Sequence, residues 1–274
     1  MNKHLHEPTQ ARFSKYEAKY GAHHSQLLSE PVLSDVLTKG YCVIPQYWSA
    51  EKCQAARQAI DSLTGNAPPT AVKLWTDELR ADKRIMGSNY LMRELNLFDD
   101  AYITEVIQAL YGVETLYGFS MAAKLESCEG NLGSGQGWHR DSCIEHQFKA
   151  ILYLSDVDSQ HGPFQYYRQS GNAQNIVEFE TKTHIPVDES RLSAYESAFD
   201  LAQIDELCAS EGTLIIANTR GIHRGKPIQT GTRYALTNYY WKRAIPAHIA
   251  QYLNDKNGVT EHQSESRRSS MKQN

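Results

Sequence analysis

Two segments in the first half of the chain repeat apolar residues at the spacing of an amphipathic helix. Residues 49–63, SAEKCQAARQAIDSL, begin with Ser49, a residue type that caps helix N-termini. The apolar positions of this segment fall on one helical face: Ala55, Ala56, Ala59, Ile60 and Leu63. Residues 101–111 space their apolar positions in the same way: Ile103, Val106, Ile107 and Leu110. The pattern therefore predicts two helices that each bury one face.

The remainder of the N-terminal part carries weaker signals. Residues 1–30 are polar and predict an extended arm or a loose helix. Three apolar residues then indicate a short helix: Leu33, Val36 and Leu37. YCVIP at 41–45 runs β-branched and aromatic residues into a proline and predicts a short strand. We therefore interpret residues 1–112 as mainly helical additions that precede the core.

After residue 112 the pattern changes to short strand-like segments separated by turn residues. Their boundaries are 115–127, 137–142, 148–157, 162–168, 212–218 and 233–241. Short strands at this spacing indicate an antiparallel sandwich or barrel rather than alternating β-α units. We predict one domain that is mainly β with flanking α-helices, and place its core at 113–245.

Two further segments differ from this strand pattern. Residues 188–210, DESRLSAYESAFDLAQIDELCAS, are helical in composition and predict a helical insertion among the strands. Residues 254–274 are polar and poor in apolar side chains, which predicts a disordered tail.

Composition narrows the possible partners and the compartment. The formal charge of −4 and the isoelectric point near 6.3 offer no positive field for nucleic acid or a membrane surface. No apolar run approaches the roughly 20 residues needed to cross a bilayer. The N-terminus lacks the apolar core of a signal peptide. Five scattered cysteines without a Cys-x-x-Cys pair argue against a disulfide framework or a thiolate zinc site. We expect a soluble, cytoplasmic protein with a small-molecule substrate; the sequence carries no signature of an oligomeric state.

The triplet His139-Arg140-Asp141 is the first candidate for chemistry. Residues two apart on a strand project from the same face, so this imidazole and this carboxylate can bind one metal together. Such triplets are common by chance, and the triplet alone is better explained as two polar residues on a strand. The surrounding sequence, GSGQGWHRDS, adds glycines suited to the mouth of a pocket.

A third candidate ligand, His223, follows the strand GTLIIAN, and Arg233 comes ten residues later, beyond a turn that contains Pro and Gly. If those two segments pair as antiparallel strands, His223 and Arg233 face the same cavity. Two histidines and one carboxylate leave open positions on iron, as in the facial triad of non-haem iron oxygenases. The arginine offers a planar fork for a carboxylate. These parts suit a dicarboxylate co-substrate with one end on the metal and the other on Arg233.

Two stretches, WHRDS at 138–142 and TRGIHRGKPIQTGTRYALTNYYW at 219–241, resemble the phytanoyl-CoA dioxygenase family of iron(II)/2-oxoglutarate oxygenases. The resemblance covers about residues 117–241. It implies a double-stranded β-helix, a cupin-like jelly roll, with helices as additions. Residues 161–172, HGPFQYYRQSGN, resemble the family's Gly-Pro-Leu segment but lack its Pro-Gly-Ser-His ending.

The family pattern implies that His139, Asp141 and His223 bind iron(II) and that Arg233 binds the C5 carboxylate of 2-oxoglutarate. It also implies that 2-oxoglutarate and O2 are converted to succinate and CO2 while an unactivated carbon of a metabolite is hydroxylated. Related halogenating enzymes carry a small residue in place of the carboxylate. The presence of Asp141 therefore favours oxygenation, with desaturation, epoxidation and ring closure as open alternatives.

Other residues give weaker signals. Lys124 lies where the family often places a polar residue that reaches 2-oxoglutarate, and a solvated lysine is an equal alternative. Tyr153 and Trp138 are interpreted first as packing residues. Arg220 and Arg224 flank His223 and suit either salt bridges or an anionic substrate.

Two alternative functions remain compatible with the sequence. A jelly-roll binding or sensing protein could retain the metal site without turnover. Zinc could also occupy two histidines and a carboxylate, although a zinc hydrolase has no evident need for a carboxylate-binding arginine at this spacing.

Overall fold

The computed structural model of the chain describes residues 9–65 and 73–254. The predicted tail at 254–274 lies outside these described residues, apart from its first residue. All five cysteines of the sequence are free thiols. Within the described ranges, no helix is both long enough and apolar enough to cross a membrane.

Helices are concentrated before the β core and at its end. The α-helices are α1 (Thr9–Leu27), α2 (Pro31–Thr38), α3 (Ala50–Thr64), α4 (Ser88–Leu91), α5 (Ala101–Tyr111), α6 (Ala173–Thr183) and α7 (Ala247–Asn254). Short 3-10 helices span Arg93–Leu95, Ser193–Ala198 and Leu201–Gln203. Both helices predicted from periodicity, α3 and α5, are present. Ser49 accepts a hydrogen bond from the Lys52 amide at the start of α3, as its capping role predicts.

The strands form two antiparallel sheets. They are β1 (Tyr41–Ile44), β2 (Lys73–Thr76), β3 (Asp82–Met86), β4 (Tyr117–Glu126), β5 (Phe148–Tyr153), β6 (Phe164–Tyr167), β7 (Ile204–Leu207), β8 (Leu214–Asn218), β9 (His223–Gly225) and β10 (Thr232–Trp241). A major sheet has the order β1-β8-β5-β10-β4-β3-β2, and a minor sheet has the order β7-β6-β9. The predicted fold class, mainly β with flanking helices around a jelly-roll core, is confirmed.

The main hydrophobic core lies between the major sheet and the N-terminal helices. Helices α3 and α5 contribute Ile60, Ile103 and Ile107, all fully buried. The outer face of the sheet supplies side chains such as Ile85, Ala122, Leu152, Ile216 and Leu236. A smaller cluster joins the inner face of the major sheet to the minor sheet through residues that include Ile151, Tyr153, Phe164 and Tyr166. The helices therefore cover one face of the major sheet, while its other face borders the cavity described below.

The N-terminal region is less purely helical than predicted. Strand β1 pairs with β8 in the major sheet, and β2 and β3, which were not predicted, extend the same sheet beyond β4. Strand β3 reads DKRIM, and its charged residues hide the alternation, because one of its faces borders a polar cavity instead of an apolar core.

The prediction of a helical insertion at 188–210 was wrong for most of its length. This segment contains two 3-10 helices followed by β7, and an α-helix, α6, lies earlier in the chain. Leu192 and Phe199 are buried beside Trp138, and these contacts override the helical propensity of the segment. Likewise, residues 137–142 do not form a strand: His139 makes only isolated β-bridges, to Arg191 and His223.

Candidate metal centre

The two candidate histidines are brought together by direct backbone pairing. The amide of His139 donates to the carbonyl of His223, and the amide of His223 donates to the carbonyl of His139, each over 3.0 Å. His223 begins β9 of the minor sheet, and its imidazole lies 4.2 Å from that of His139 between ring centroids. Because the residues are directly opposite each other, both rings project to the same side.

Asp141 completes a cluster with these two rings. Its backbone amide donates to the carbonyl of Thr219 over 3.0 Å, which places it beside the same segment. Its Oδ1 is 3.7 Å from Nε2 of His139, and its Oδ2 is 3.6 Å from Nε2 of His223. Two ligand atoms each about 2.1 Å from a shared metal lie about 3.0–3.5 Å apart. The ligand atoms of the three residues all lie within 4.8 Å of one another. Small side-chain shifts would bring them into coordination range, so the donor set fits one metal ion.

Hydrogen bonds at the far side of each ring fix which nitrogen faces the cluster. Nδ1 of His139 contacts the carbonyl of Gly137 at 2.9 Å, and Nδ1 of His223 contacts that of Gly221 at 2.8 Å. A carbonyl can only accept, so each Nδ1 carries the proton and each Nε2 presents its lone pair to the cluster. Gly135 has a left-handed φ of +84°, and a Cβ there would lie 2.2 Å from the His139 ring. The glycine-rich segment before His139 thus provides space for the imidazole.

The charge state of the cluster also suits metal binding. Burial lowers the pKa of His139 and, more strongly, that of His223, so both rings are neutral near pH 7. Burial raises the pKa of Asp141, but the charge of Lys149 outweighs that effect and holds the pKa of Asp141 well below its ordinary value. The Asp141 side chain is 22% exposed because it opens onto a recessed cavity, although protein surrounds it. Neutral imidazoles and an ionised carboxylate are the forms that bind metals.

Lys149 is a member of the site that sequence reasoning missed. Its Nζ lies 2.6 Å from Oδ2 of Asp141 and 4.4 Å from the centroid of the Tyr239 ring. Burial lowers the pKa of Lys149, but the Asp141 carboxylate raises it by more, so the pKa is raised overall and the ammonium stays charged. The available signal was a single lysine within an apolar strand, FKAILY, at the same parity as the inward-facing Ile151 and Tyr153.

Arg233 occupies the wall of the same cavity. It lies on β10, is 5% exposed, and shares the cavity lining with the three candidate ligands. Among the described residues, its Nε has no hydrogen-bond partner and no carboxylate forms an ion pair with it. Burial lowers the pKa of Arg233, yet a guanidinium remains protonated at any physiological pH. A buried cation without a partner is costly, so this position is suited to an anion that enters the cavity.

Lys124 does not reach the cavity, which corrects the prediction that it helps to bind the co-substrate. On β4 it is the neighbour of Ala123, which faces inward, so its own side chain projects from the outer face. There its Nζ pairs with Asp61 at 2.8 Å and lies 5.5 Å from the Tyr234 ring centroid. Lys124 is therefore part of an outer salt bridge.

The other residues considered from the sequence have packing and pairing roles. Tyr153 is buried and uses its hydroxyl to donate to the Leu207 carbonyl and to accept from the Phe164 amide. Trp138 is fully buried and donates through Nε1 to Glu196, as the packing interpretation predicted. Arg220 is 1% exposed and bonds Glu17 and two backbone carbonyls, whereas Arg224 pairs with Glu196 at 3.1 Å.

The cavity that joins these parts has a volume of about 360 Å³. This is near the lower end of the roughly 300–1,000 Å³ typical of small-molecule sites. Inward-facing side chains of five strands of the major sheet form one wall: Trp75, Arg84, Met121, Ala123, Lys149, Ile151, Tyr153, Arg233, Ala235, Thr237 and Tyr239. The metal cluster, Phe164 and the loop Ser134–Gln136 form the opposite side.

Comparison with known proteins identifies the fold. No protein-family model matches the chain, and neither does any curated protein. The structure of the epimerase SnoN, in complex with Fe3+, alpha ketoglutarate and nogalamycin RO, is similar with a TM-score of 0.55 and 15% identity, over 81% of this chain and 84% of that one. HygX from Streptomyces hygroscopicus, with nickel, 2-oxoglutarate and hygromycin B bound, gives a TM-score of 0.54 and 15% identity, over 78% of this chain and 87% of that one. AviO1 from Streptomyces viridochromogenes Tue57 gives a TM-score of 0.56 and 13% identity, over 79% of this chain and 95% of that one. At these identities the similarity establishes a shared fold.

Proposed function

We propose that the protein is a mononuclear non-haem iron(II) oxygenase that uses 2-oxoglutarate, of the type represented by the phytanoyl-CoA dioxygenase family. His139, Asp141 and His223 are the proposed metal ligands, and Arg233 is the proposed partner of the C5 carboxylate of 2-oxoglutarate. The observation that carries the proposal is Arg233 itself, a buried guanidinium without a carboxylate partner on the wall of the triad's cavity. A triad alone would suit several metals, whereas a triad with this arginine suits a dicarboxylate co-substrate.

Each residue has a distinct role in this proposal. Bound iron would supply the oxidising chemistry, with O2 as oxidant and 2-oxoglutarate as the source of two electrons. Arg233 orients 2-oxoglutarate through a two-pronged hydrogen bond to its distal carboxylate. Lys149 holds one oxygen of Asp141, which fixes the rotation of the ligand carboxylate. Ala123 and Ala235 keep that part of the wall open, because small side chains there leave room for the co-substrate.

The proposed outcome is hydroxylation of an unactivated carbon of a small metabolite. Asp141 supports oxygenation over halogenation, because its carboxylate occupies the coordination position that a halide would need. The small, recessed cavity supports a metabolite as the substrate rather than a macromolecule.

Metal identity and co-substrate use can be tested together. Purified protein is reconstituted without oxygen with one equivalent of iron(II) or zinc(II). It is then exposed to air with 2-oxoglutarate labelled at C1 and with ascorbate, which supplies the two electrons that a substrate would otherwise give. We expect labelled CO2 and an equal amount of succinate from the iron form only, and neither from iron-treated His223→Ala. Release that is equal in the zinc form, or absent from the iron form, would contradict the proposal.

A further inference from the structure

The cavity contains more positive charge than the proposed co-substrate can neutralise. Four cationic side chains line it, namely Arg84, Lys149, Arg191 and Arg233, and among the described residues Asp141 is the one carboxylate on its wall. Asp82, immediately behind the wall, compensates Arg84. Four cations and two carboxylates leave two positive charges. A divalent metal and the 2-oxoglutarate dianion cancel each other, so the loaded site retains that excess.

These cations are close enough to influence one another. Burial lowers the pKa of Arg233, and the charge of Arg84 adds a smaller lowering. Arg84 also opposes part of the rise that Asp141 gives to the pKa of Lys149. Water and salt screen the repulsion between like charges less in a recessed cavity than on an open surface. An anion that entered between them would relieve this repulsion.

Unused hydrogen-bond donors other than those of Arg233 lie on both sides of the cavity: Arg84 on the wall of the major sheet, and Gln136 and Arg191 on the side of the candidate ligands. Arg84 binds both oxygens of Asp82 through Nε, at 2.9 and 3.0 Å, and no acceptor among the described residues bonds its Nη1. Arg191 uses Nη1 to bond the Gly135 carbonyl at 2.7 Å and leaves the rest of its fork exposed. Nε2 of Gln136 is buried, and none of the residues that the structure describes accepts a hydrogen bond from it. A wall with spare donors and few acceptors is suited to an oxyanion.

Aromatic rings hold the cations in place. The guanidinium of Arg84 lies 4.5 Å from the centroid of the Trp75 ring, and Lys149 Nζ has the same relation to Tyr239. The two rings also offer an apolar surface to the carbon skeleton of a ligand. The cavity thus combines an anion-binding side with flat apolar walls.

We propose that the substrate of this site is a small organic anion, whose carboxylate or phosphate binds a second anion subsite formed by Arg84, Gln136 and Arg191. This inference rests on the proposed function, because it assigns Arg233 to 2-oxoglutarate. It names the class of the second ligand and predicts that a neutral or cationic analogue of the same shape binds poorly.

Four probes of similar shape test the charge preference: phenylacetate, phenyl phosphate, phenylacetamide and 2-phenylethylamine. Each is titrated by calorimetry into protein loaded with iron(II) and saturating 2-oxoglutarate in the absence of oxygen. We expect phenylacetate or phenyl phosphate to bind at least 10-fold more tightly than the amide, and the amine to bind more weakly still. The tighter of the two anions identifies the preferred oxyanion.

Two substitutions locate the subsite with little risk to folding. Arg191→Gln removes an exposed charge, and Gln136→Glu replaces an amide by a carboxylate of the same shape. Each should weaken binding of the anionic probe at least fivefold and leave the affinity for 2-oxoglutarate unchanged. Lys83→Gln is the matched control, because Lys83 neighbours Arg84 on β3 but pairs with Glu126 outside the cavity, and it should change nothing.

Three results would overturn the subsite. The first is equal affinity of the protein for phenylacetate and phenylacetamide. Failure of all four probes to bind counts as the same result. Another is an affinity for the acid that falls as 2-oxoglutarate rises, since that would place the acid on Arg233. The third is an equal effect of Lys83→Gln and Arg191→Gln. Failure of 2-oxoglutarate to bind the iron-loaded protein would instead refute the proposed function, so the two failures are distinguishable.

Discussion

Two lysine–aspartate pairs on opposite faces of the major sheet have nearly the same geometry and very different surroundings. Inside the cavity, Lys149 lies 2.6 Å from Asp141, and the two side chains are 8% and 22% exposed. On the outer face, Lys124 lies 2.8 Å from Asp61, with exposures of 19% and 48%. The inner carboxylate also faces two neutral imidazoles, whereas the outer one also accepts from the Tyr234 hydroxyl.

The difference shows that surroundings, rather than residue types, separate a functional pair from an ordinary salt bridge. The outer pair is screened by water, and such pairs contribute about 0–1 kcal/mol to the free energy of unfolding. The inner pair is largely withdrawn from water and lies beside donors that could share its carboxylate with a metal. The strand parity that separates Ala123 from Lys124 decides which face a residue joins.

Removing the two carboxylates should give the largest contrast. Asp141→Ala should abolish iron retention and succinate formation, a loss of more than about 100-fold, beyond the range typical of residues that only support a ligand. Asp61→Ala should keep full iron content and at least half of the activity. Metal analysis and succinate release measure both. Retained coupled turnover in Asp141→Ala would show that the inner pair is no more than a salt bridge.

Removing the two cations Arg233 and Lys124 should separate co-substrate binding from surface charge. Arg233→Met should weaken 2-oxoglutarate binding to anaerobic iron-loaded protein by about 100-fold, or about 3 kcal/mol, because it removes a buried charged partner. Lys124→Met should leave this affinity unchanged. Calorimetry measures both constants, and comparable losses in the two variants would contradict the assignment.

Arg233→Met should also raise the free energy of unfolding of the protein without 2-oxoglutarate. The substitution replaces a buried, unpaired guanidinium by an apolar side chain of similar length. Urea unfolding without the co-substrate measures the change. A lower stability would indicate that Arg233 already has a stabilising role in the free protein.

Lys149→Met should destabilise the metal-free protein more than the metal-loaded protein. Without metal, Asp141 would lose its closest cation, at a cost of about 2–3 kcal/mol after allowance for its partial exposure. A bound metal ion would compensate the carboxylate instead. Thermal unfolding with and without metal measures the two costs, and Lys124→Met provides the control at under about 1 kcal/mol. Equal destabilisation of both forms would argue against contact between Asp141 and the metal.

The effect of burial extends to His146, which lines a second, separate cleft beside helix α1. Burial, followed by the charge of Arg220, lowers its pKa well below the ordinary value. Below about pH 6.5 this histidine therefore binds a proton in the unfolded chain but not in the folded protein. As the pH decreases, the free energy of unfolding falls by up to about 1.4 kcal/mol per pH unit. His146→Gln should remove the part of this loss that His146 causes, and it should leave the free energy of unfolding at pH 8 nearly unchanged. Urea unfolding from pH 8 to pH 5 checks it, and parallel curves for the two proteins would disprove it.

Much of the fold could be predicted from local pattern. Helix α5 spans the residues that its periodicity predicted, and β10 and β8 match apolar segments with clear ends. The candidate ligands and Arg233 were found because their spacing is local to two short segments. Strands β2 and β3 were missed, because β3 joins the sheet through a long-range pairing with β4, and β2 pairs with β3. Their own short sequences do not signal these contacts.

The two errors at the site have different physical causes. A strand's sequence shows that its residues alternate, but it does not show which set faces the cavity when both faces are largely apolar. The family resemblance placed Lys124 near the co-substrate, and the sequence alone could not show that its side chain faces outward. Lys149 was overlooked because its partner, Asp141, is on a loop, and only the folded chain brings the two together.

The most direct test of the central claim is the visible spectrum of the protein with iron(II) and 2-oxoglutarate in the absence of oxygen. Chelation of iron(II) by the keto acid should give a weak charge-transfer band in the wild type and in Lys124→Met. The band should be absent from Asp141→Ala, and from Arg233→Met at the same 2-oxoglutarate concentration. No band in the wild type, or an undiminished band in Arg233→Met, would contradict the account.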